Sequence, residues 1–209
     1  MKLWCNNLVV IVYSTFFALL MVGDAAANDK TLTGLLENNR NIEGQFHQIT
    51  YDEDGAERQQ SRGEFVLAQP NRFVWNTLEP FPQRIISDGD TIIIWDIDLE
   101  QATQKSFKKA LNNSPAALLS QPANEVLPNY NVEQLDQNRF KLEPLNSEGL
   151  FSNLTLVFEK NTIASMKIED TLGQTTTIDF QKLKHHNGVD ESKFQINLPD
   201  DVDLIIEGQ

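Results

Sequence analysis

The sequence has little of what catalysis or covalent cross-linking requires. It contains one cysteine, Cys5, and three histidines in 209 residues, so a framework of disulfide bonds is excluded and burial alone must hold the fold. No G-x-S-x-G, H-E-x-x-H or phosphate-binding glycine loop is present. The carboxylates lie mainly in turns, where solvation is the simplest interpretation. We therefore expect neither an enzyme, nor a cofactor, nor a metal site.

Positive charge is also scarce. The chain has 17 Lys and Arg residues against 30 Asp and Glu residues, which gives a formal net charge of −13. Nucleic acids are bound by clusters of Lys and Arg, so we expect no nucleic-acid partner. The same acidity disfavours prolonged contact with an anionic bilayer, although it could equally serve only to keep the protein in solution.

A long apolar run occurs only near the N-terminus. Lys2 precedes the run at residues 8–23, and "DAAAN" follows it. This order is typical of a secretory signal peptide cleaved after Ala27; an uncleaved anchor is the alternative, but the run is short for a membrane span. Cys5 precedes the run, whereas a lipid-modified cysteine would follow it. We expect a signal peptide over residues 1–27 and one soluble domain over residues 28–209, without stable membrane insertion.

The rest of the chain predicts many strands and few helices. Leu32, Leu35 and Leu36 form the apolar stripe of a helix over residues 29–39, with Asp29 as its N-cap, and Pro115 can begin a short helix over residues 115–119. The other segments are short strands at roughly ten-residue spacing, among them "RFVW", "TIIIWDI", "LTLVFE" and "KFQINLP". We predict a mainly β fold in which one large antiparallel sheet curls into a barrel or half-barrel.

Two of the predicted strands are apolar on both faces. Phe73 and Trp75 share one face of "RFVW", while Ile92 and Ile94 share a face of "TIIIWDI" opposite to Ile93. A sheet with one hydrated face should instead alternate apolar and polar residues. Helices can cover one apolar face. The second can line a cavity for an apolar ligand or belong to an ordinary core, and the residues alone leave both possibilities open.

Four segments carry a family resemblance: "GQFHQ", "GEFVLAQPNRFVW", "IISDGDTIIIWDIDLEQAT" and "NNSPAALLS". Together they resemble the periplasmic outer-membrane lipoprotein carrier proteins, the LolA family, and the similarity extends over nearly all of the chain after residue 27. The resemblance implies an unclosed antiparallel β-barrel, or half-barrel, with an α-helical lid over a hydrophobic cavity. The signal peptide and the lack of disulfide-forming cysteines agree with it independently.

The resemblance implies transport without chemistry. Such proteins accept acylated lipoproteins from an ABC-type lipoprotein-release complex in the inner membrane, carry them through the periplasm and pass them to a lipoprotein receptor on the outer membrane. We expect the same partners, a periplasmic location and a monomer here. A periplasmic regulatory module that senses lipids or lipoproteins is the alternative function, and related proteins of that class carry a further C-terminal domain.

The resemblance also implies a binding site for acyl chains. Its cavity would be lined by apolar residues of the sheet and of the lid, namely Leu32, Leu35, Leu36, Phe46, Phe73, Trp75, Ile92, Ile94, Leu118 and Leu119. Ile92 and Ile94 are assigned to the cavity face only by alternation along their strand, and they could equally lie on the outer face.

A lid latch is the second implied feature. In the family, an arginine just before the strand-ending proline bonds to lid carbonyls in the ligand-free form, and Gln69 stands at that position here, before Pro70. The implied acceptors are the carbonyls of Leu36, Leu119 and Ser120. A neutral amide lacks the charge that roughly doubles the strength of such hydrogen bonds. We therefore expect a weaker latch, unless Arg72 or Arg84 takes over.

Overall fold

The computed structural model describes residues 24–110, 115–146, 151–188 and 190–207, so the predicted signal peptide lies outside it except for residues 24–27. Twelve strands form one sheet. In chain order they are β1 (Asn41–Tyr51), β2 (Glu57–Ala68), β3 (Arg72–Glu79), β4 (Gln83–Asp88), β5 (Thr91–Asp96), β6 (Gln101–Ser106), β7 (Tyr130–Gln134), β8 (Arg139–Pro144), β9 (Phe151–Glu159), β10 (Thr162–Asp170), β11 (Thr175–His185) and β12 (Asp203–Ile206).

The sheet consists of two meanders, β1–β6 and β7–β11, which are joined by the pairing of β1 with β11. The strand order is β12-β6-β5-β4-β3-β2-β1-β11-β10-β9-β8-β7. All neighbours are antiparallel except β12, which runs parallel to β6. Strands β12 and β7 are the two edges and do not pair with each other in the part of the chain that the structure describes, so the predicted unclosed half-barrel is confirmed.

Short helices cover one face of this sheet. They are α1 (Asp24–Asn38), α2 (Phe107–Ala110), α3 (Pro115–Ser120) and α4 (Ala123–Val126), and a 3-10 helix over Leu127–Asn129 follows α4. Helix α1 packs on β7, β10 and α4, while α3 packs on β2 and β3. None of the helices in the described ranges is long and apolar enough to span a bilayer.

Helix α1 begins earlier than the sequence predicts. It starts at Asp24, so Asp29 lies inside the helix and is not its N-cap. The physical reason is the alanine run in "DAAAN", because alanine has the highest helix propensity of all residues. The helix ends as predicted near Asn39, whose side chain accepts the N–H of Ile163 and donates to the carbonyl of Leu35.

The prediction of a strand at "KFQINLP" is wrong. Glu191–Phe194 form a 3-10 helix, capped by Asp190, which accepts the N–H of Ser192 at 2.9 Å. The following residues cross the convex face of the sheet as an irregular segment, residues 195–202, and only then form β12. We call residues 190–202 the strap. Its apolar residues cover the outside of the sheet instead of extending it, and this placement explains the failed prediction.

The strap accounts for the second apolar face of the strands. Phe194 is 3% exposed and packs on a cluster of convex-face residues that includes Val74 and Ile86. The Arg72 guanidinium lies 5.7 Å from the centre of the Phe194 ring and pairs with Glu191 at 2.7 Å. The convex face is therefore an ordinary small core, and an apolar ligand would have to use the concave face.

Residue Lys193 fixes the strap to β1. Its Nζ lies 2.8 Å from Oε2 of Glu43. This hydrogen bond is the main factor that holds the pKa of the Glu43 carboxyl below its usual value, with further help from the charges of Lys193, His186 and Lys184. The pair is partly exposed, so we expect it to position the strap more than to stabilise the fold.

We expect Phe194→Ala to lower the free energy of unfolding by about 3 kcal/mol, because it removes the fully buried side chain of the strap from the convex-face cluster, where Ile196 is only partly buried. Urea denaturation measures the change. Phe81→Ala is the control, since Phe81 is 66% exposed and its loss should cost less than about 0.5 kcal/mol. Equal unfolding midpoints for the two variants would show that the strap does not stabilise the sheet.

Candidate ligand-binding site

A cluster of aromatic rings forms the centre of the concave face. The rings of Phe46 and Trp75 are stacked with 4.2 Å between their centroids, and Phe65 lies edge-on to Phe180 at 5.2 Å. The strand register brings these residues together, because Phe65 is paired with Trp75 and Phe46 with Phe180. Aromatic rings carry large apolar area with few rotatable bonds. The cluster of Phe46, Phe65, Trp75 and Phe180 is therefore a rigid apolar surface, which we call the aromatic floor.

Gly63 makes room for this cluster. A Cβ atom at Gly63 would lie 2.0 Å from the carbonyl oxygen of Asn76 and 2.7 Å from the Phe46 ring. Any side chain at this position would displace either the strand or the ring that stacks on Trp75. The glycine is therefore required by close approach inside a strand.

The helices cover the aromatic floor. Leu32 on α1 and Phe73 on β3 are completely buried, and Ile94 is partly buried against the same cluster. The other residues predicted to line the cavity also belong to this cluster and are at most 8% exposed: Leu35, Leu36, Phe46, Trp75, Ile92, Leu118 and Leu119. The structure thus brings all ten together as an apolar interior between sheet and helices.

Residues Ile92 and Ile94 lie on the concave face. Ile92 is opposite Ser87 and Ile94 is opposite Ile85, whereas Ile93 is paired on the convex side with Ile86. Ser87 is a polar residue within this apolar surface, and it is completely buried. Its hydroxyl donates to the carbonyl of Asn71 at 2.7 Å, so no unsatisfied polar group interrupts the apolar surface there.

The sequence analysis missed the second half of the concave face. The same buried cluster extends onto β8–β11 and onto the helical residues after α3, with Val126, Leu127, Phe140, Leu142, Leu154, Leu156, Phe158, Ile163, Met166, Ile178 and Phe180. The alternation of apolar and polar residues in "RFKLEP" and "SNLTLVFE" is the signal that could have found them. With these residues and the partly buried residues packed against them, the apolar interior extends across ten of the twelve strands, β1–β5 and β7–β11.

The β2–β3 turn holds the lid by hydrogen bonds. The side-chain amide of Gln69 donates to the carbonyl of Gln121 at 2.8 Å and approaches the carbonyl of Leu119 at 3.5 Å. The backbone N–H of Asn71 donates to the carbonyl of Ser120 at 2.8 Å. These three bonds tie the end of α3 to the turn.

The acceptors differ in part from those that the sequence analysis named. The Leu36 carbonyl accepts the N–H of Asn39 inside the end of α1, and the Ser120 carbonyl takes the backbone N–H of Asn71. The Gln69 amide donates to Gln121, which the sequence analysis did not name, and to Leu119, which it did. The role of Gln69 as a latch stays a prediction.

Neither nearby arginine substitutes for the missing family arginine. The Arg72 guanidinium points to the convex side, where it meets Glu191 and the carbonyl of Gln69. Arg84 is opposite Asn76 and Trp95 in the register, and it makes no bond to the lid among the described residues. The neutral amide of Gln69 and the backbone N–H of Asn71 therefore stand where the family pattern has a charged donor.

The convex face carries a groove of a different character. Its volume is about 530 Å³. Charged side chains from several strands and from the strap line it, among them Glu43, Glu64, Arg84, Lys182, Lys184 and Lys193. An acyl chain placed there would have to desolvate these charges, so this groove does not suit an apolar ligand.

A family model and two relatives of similar sequence point to the same family. The family model described as "Outer membrane lipoprotein carrier protein LolA" matches residues 37–197. A protein of Pseudomonas putida named outer-membrane lipoprotein carrier protein is 36% identical over 179 residues, covering 84% of this chain and 86% of the relative. A protein of the same name from Pseudomonas fluorescens is 34% identical over 189 residues, covering 88% and 92%.

One solved structure is similar to this chain in its fold, and at so low a sequence identity the similarity bears on the fold alone. An uncharacterised conserved protein of Thermus thermophilus is similar over 87% of this chain and 99% of its own, with a TM-score of 0.55 and 11% identity.

We expect Gln69→Arg to hold the lid more tightly. The guanidinium would donate charge-assisted hydrogen bonds to the α3 carbonyls, and these are roughly twice as strong as the bonds of an amide. Amide hydrogen exchange in α3 should become slower, and lipoprotein uptake should fall. Gln69→Leu removes the donor at similar volume and should have the opposite effect on exchange. If Gln69→Arg leaves both exchange and uptake unchanged, Gln69 is not a latch.

Proposed function

Because the chain belongs to the LolA family of outer-membrane lipoprotein carrier proteins, we propose that it shelters the acyl chains of lipoproteins on the concave face of its sheet. Lipoprotein carriage is the function that the family name describes. The proposal adds where the acyl chains lie and what they displace.

The continuous apolar interior between sheet and lid is the observation that supports this assignment. Helix α3 has six residues and α4 has four, and helices this short are not stable on their own in water. Their packing against the concave face must therefore hold them in place. An acyl chain offers the sheet the same kind of apolar contact, so it can take the place of the helices there.

Lipoprotein transport between two membranes requires such a replacement. Each methylene group moved from an apolar surrounding into water costs about 0.8 kcal/mol, so a protein with two or three long acyl chains stays in its bilayer. A carrier must supply apolar contact and still release its cargo without ATP. A lid that competes with the cargo for the same surface lowers the net affinity and makes release possible.

The resemblance supports a location and partners for this cycle. We place the protein in the periplasm as a monomer, exported by the predicted signal peptide. An ABC-type lipoprotein-release complex in the inner membrane would load it, and a lipoprotein receptor on the outer membrane would unload it. The acidity of the chain favours both transfers, since anionic bilayer surfaces repel it and leave the partner proteins as its points of contact.

Release of lipoproteins from inner-membrane vesicles tests the proposed function. Vesicles are energised with ATP and incubated with the protein lacking residues 1–27, then sedimented. We expect acylated lipoprotein in the supernatant, in a complex with the carrier. Lipoprotein that stays in the pellet at every carrier concentration would contradict the assignment, as would a supernatant complex that forms equally well with a non-acylated variant of the cargo.

A charge on the concave face should abolish carriage without unfolding the protein. Ile94 is only partly buried there, so Ile94→Glu is better tolerated than a charge at fully buried Phe73. We expect release to fall by about tenfold or more, because a carboxylate against an acyl chain costs more than 1.4 kcal/mol. Val66→Glu is the matched control, since Val66 is a partly buried aliphatic residue on the convex face.

Circular dichroism and urea denaturation confirm that both variants are folded. If Ile94→Glu releases lipoprotein as well as Val66→Glu does, acyl chains do not lie along β5.

A further inference from the structure

Two neighbouring turns of the sheet expose large apolar side chains that no described part of the chain covers. Leu78 and Phe81, at the β3–β4 turn, are 47% and 66% exposed, and Ile97 and Leu99, at the β5–β6 turn, are 36% and 70% exposed. We call these four residues the tip patch. Exposed apolar residues are common singly, but a cluster of them usually marks an interaction site.

The two turns are in direct contact. The N–H of Ile97 donates to the carbonyl of Pro82 at 3.1 Å, and Gln83 is paired with Asp96 in the register. The patch is therefore one surface. It lies at the opposite end of β3 from Arg72, where the Gln69 turn holds the lid, so a partner on the patch does not have to displace α3.

Acidic groups surround the patch. Residues 78–83 and 96–101 contain four carboxylates, those of Glu79, Asp96, Asp98 and Glu100, and no lysine or arginine. Arg62 neutralises Glu79 across the β2–β3 pair, and Asp96 accepts the N–H of Leu99 at 3.3 Å. Asp98 and Glu100 make no ion pair within the described ranges. The surface is thus apolar at its centre and negative at its border.

We propose that the tip patch is a docking site for a partner protein whose contact surface combines an apolar pocket with lysine or arginine side chains. Apolar anchors in a pocket supply most of the affinity of such interfaces, and charges at their border supply steering and choice of partner. A membrane surface fits poorly, because anionic lipids repel the carboxylates. A second copy of this chain fits poorly too, because a two-fold contact would bring like charges together.

The inference rests on the proposed function and adds to it. A carrier must touch the proteins that load and unload it, and the tip patch provides a contact that leaves the lid end of the sheet free. The docking protein can then hold the carrier while cargo passes between the helices and the concave face.

Binding to the purified inner-membrane lipoprotein-release complex in detergent, and to the soluble domain of the outer-membrane receptor, tests the patch. We expect Phe81→Ser with Leu99→Ser to weaken binding to at least one of the two by about tenfold. Leu172→Ser is the matched control, because Leu172 is 74% exposed at the β10–β11 turn of the same sheet end and should change nothing. Unchanged affinity of the double variant for both partners overturns the proposal.

Charge reversal provides the second arm of the test. Asp98→Lys with Glu100→Lys should weaken the same binding about tenfold at low salt and less at high salt. Asp54→Lys with Glu57→Lys, at the β1–β2 turn, changes the net charge equally and should have little effect. Equal losses in both double variants would mean that net charge alone steers the encounter, and the proposal would fail.

Two further measurements distinguish docking to a protein from binding to a membrane, and failure of the tip patch from failure of the proposed function. Protein-free vesicles of phosphatidylethanolamine and phosphatidylglycerol should not bind the wild-type carrier, and binding that depends on Phe81 would make the patch a membrane anchor, contrary to the proposal. The carrier already loaded with lipoprotein should keep its cargo in solution in every tip variant. If the wild type cannot hold cargo at all, the proposed function fails independently of the patch.

Discussion

An apolar sheet face in water must be covered, and in this protein short helices cover the concave face. Helices α2, α3 and α4 are too short to be stable alone, so they depend on the sheet, and the sheet depends on the lid to cover its apolar face. Phe73 and Leu32 are completely buried where the two meet. On the proposed function the concave face has two possible covers, its own helices or the acyl chains of a lipoprotein, and we propose that the balance between them decides whether cargo is bound or released. On the convex face the apolar residues are covered by the strap, through Phe194.

The hydrogen bonds between the lid and the β2–β3 turn contribute little free energy, and this suits a cover that must open and close reversibly. Gln69 offers one neutral amide to α3, and Asn71 adds one backbone N–H. Each such bond contributes about 0.5–1.5 kcal/mol in water, which is comparable to the burial of one or two methylene groups. An acyl chain has many methylene groups, so we propose that it displaces these bonds and that their return helps to expel the chain when a better acceptor is present.

Local patterns in the sequence were enough to predict most of the sheet and part of the site. Alternation gave Phe73 and Trp75 a common face and Ile92 and Ile94 a common face, but it left open whether the two faces are the same; the structure shows all four in one cluster. The strap could not be predicted in this way, because "KFQINLP" alternates like a strand but packs through Phe194 onto a distant surface. Of the two acceptors of the Gln69 amide, the sequence analysis named Leu119 but not Gln121, since that choice depends on how far α3 lies from the turn.

The exchange of the Asn71 amide proton tests the competition between lid and cargo most directly. In the free protein this N–H donates to the Ser120 carbonyl of α3 at 2.8 Å, so it should be protected. In the complex with an acylated lipoprotein we expect its protection to be lost, while the Gln69 N–H, which donates to the Arg40 carbonyl at 3.0 Å, stays protected. Equal protection of Asn71 with and without bound lipoprotein would contradict the displacement of the lid by acyl chains.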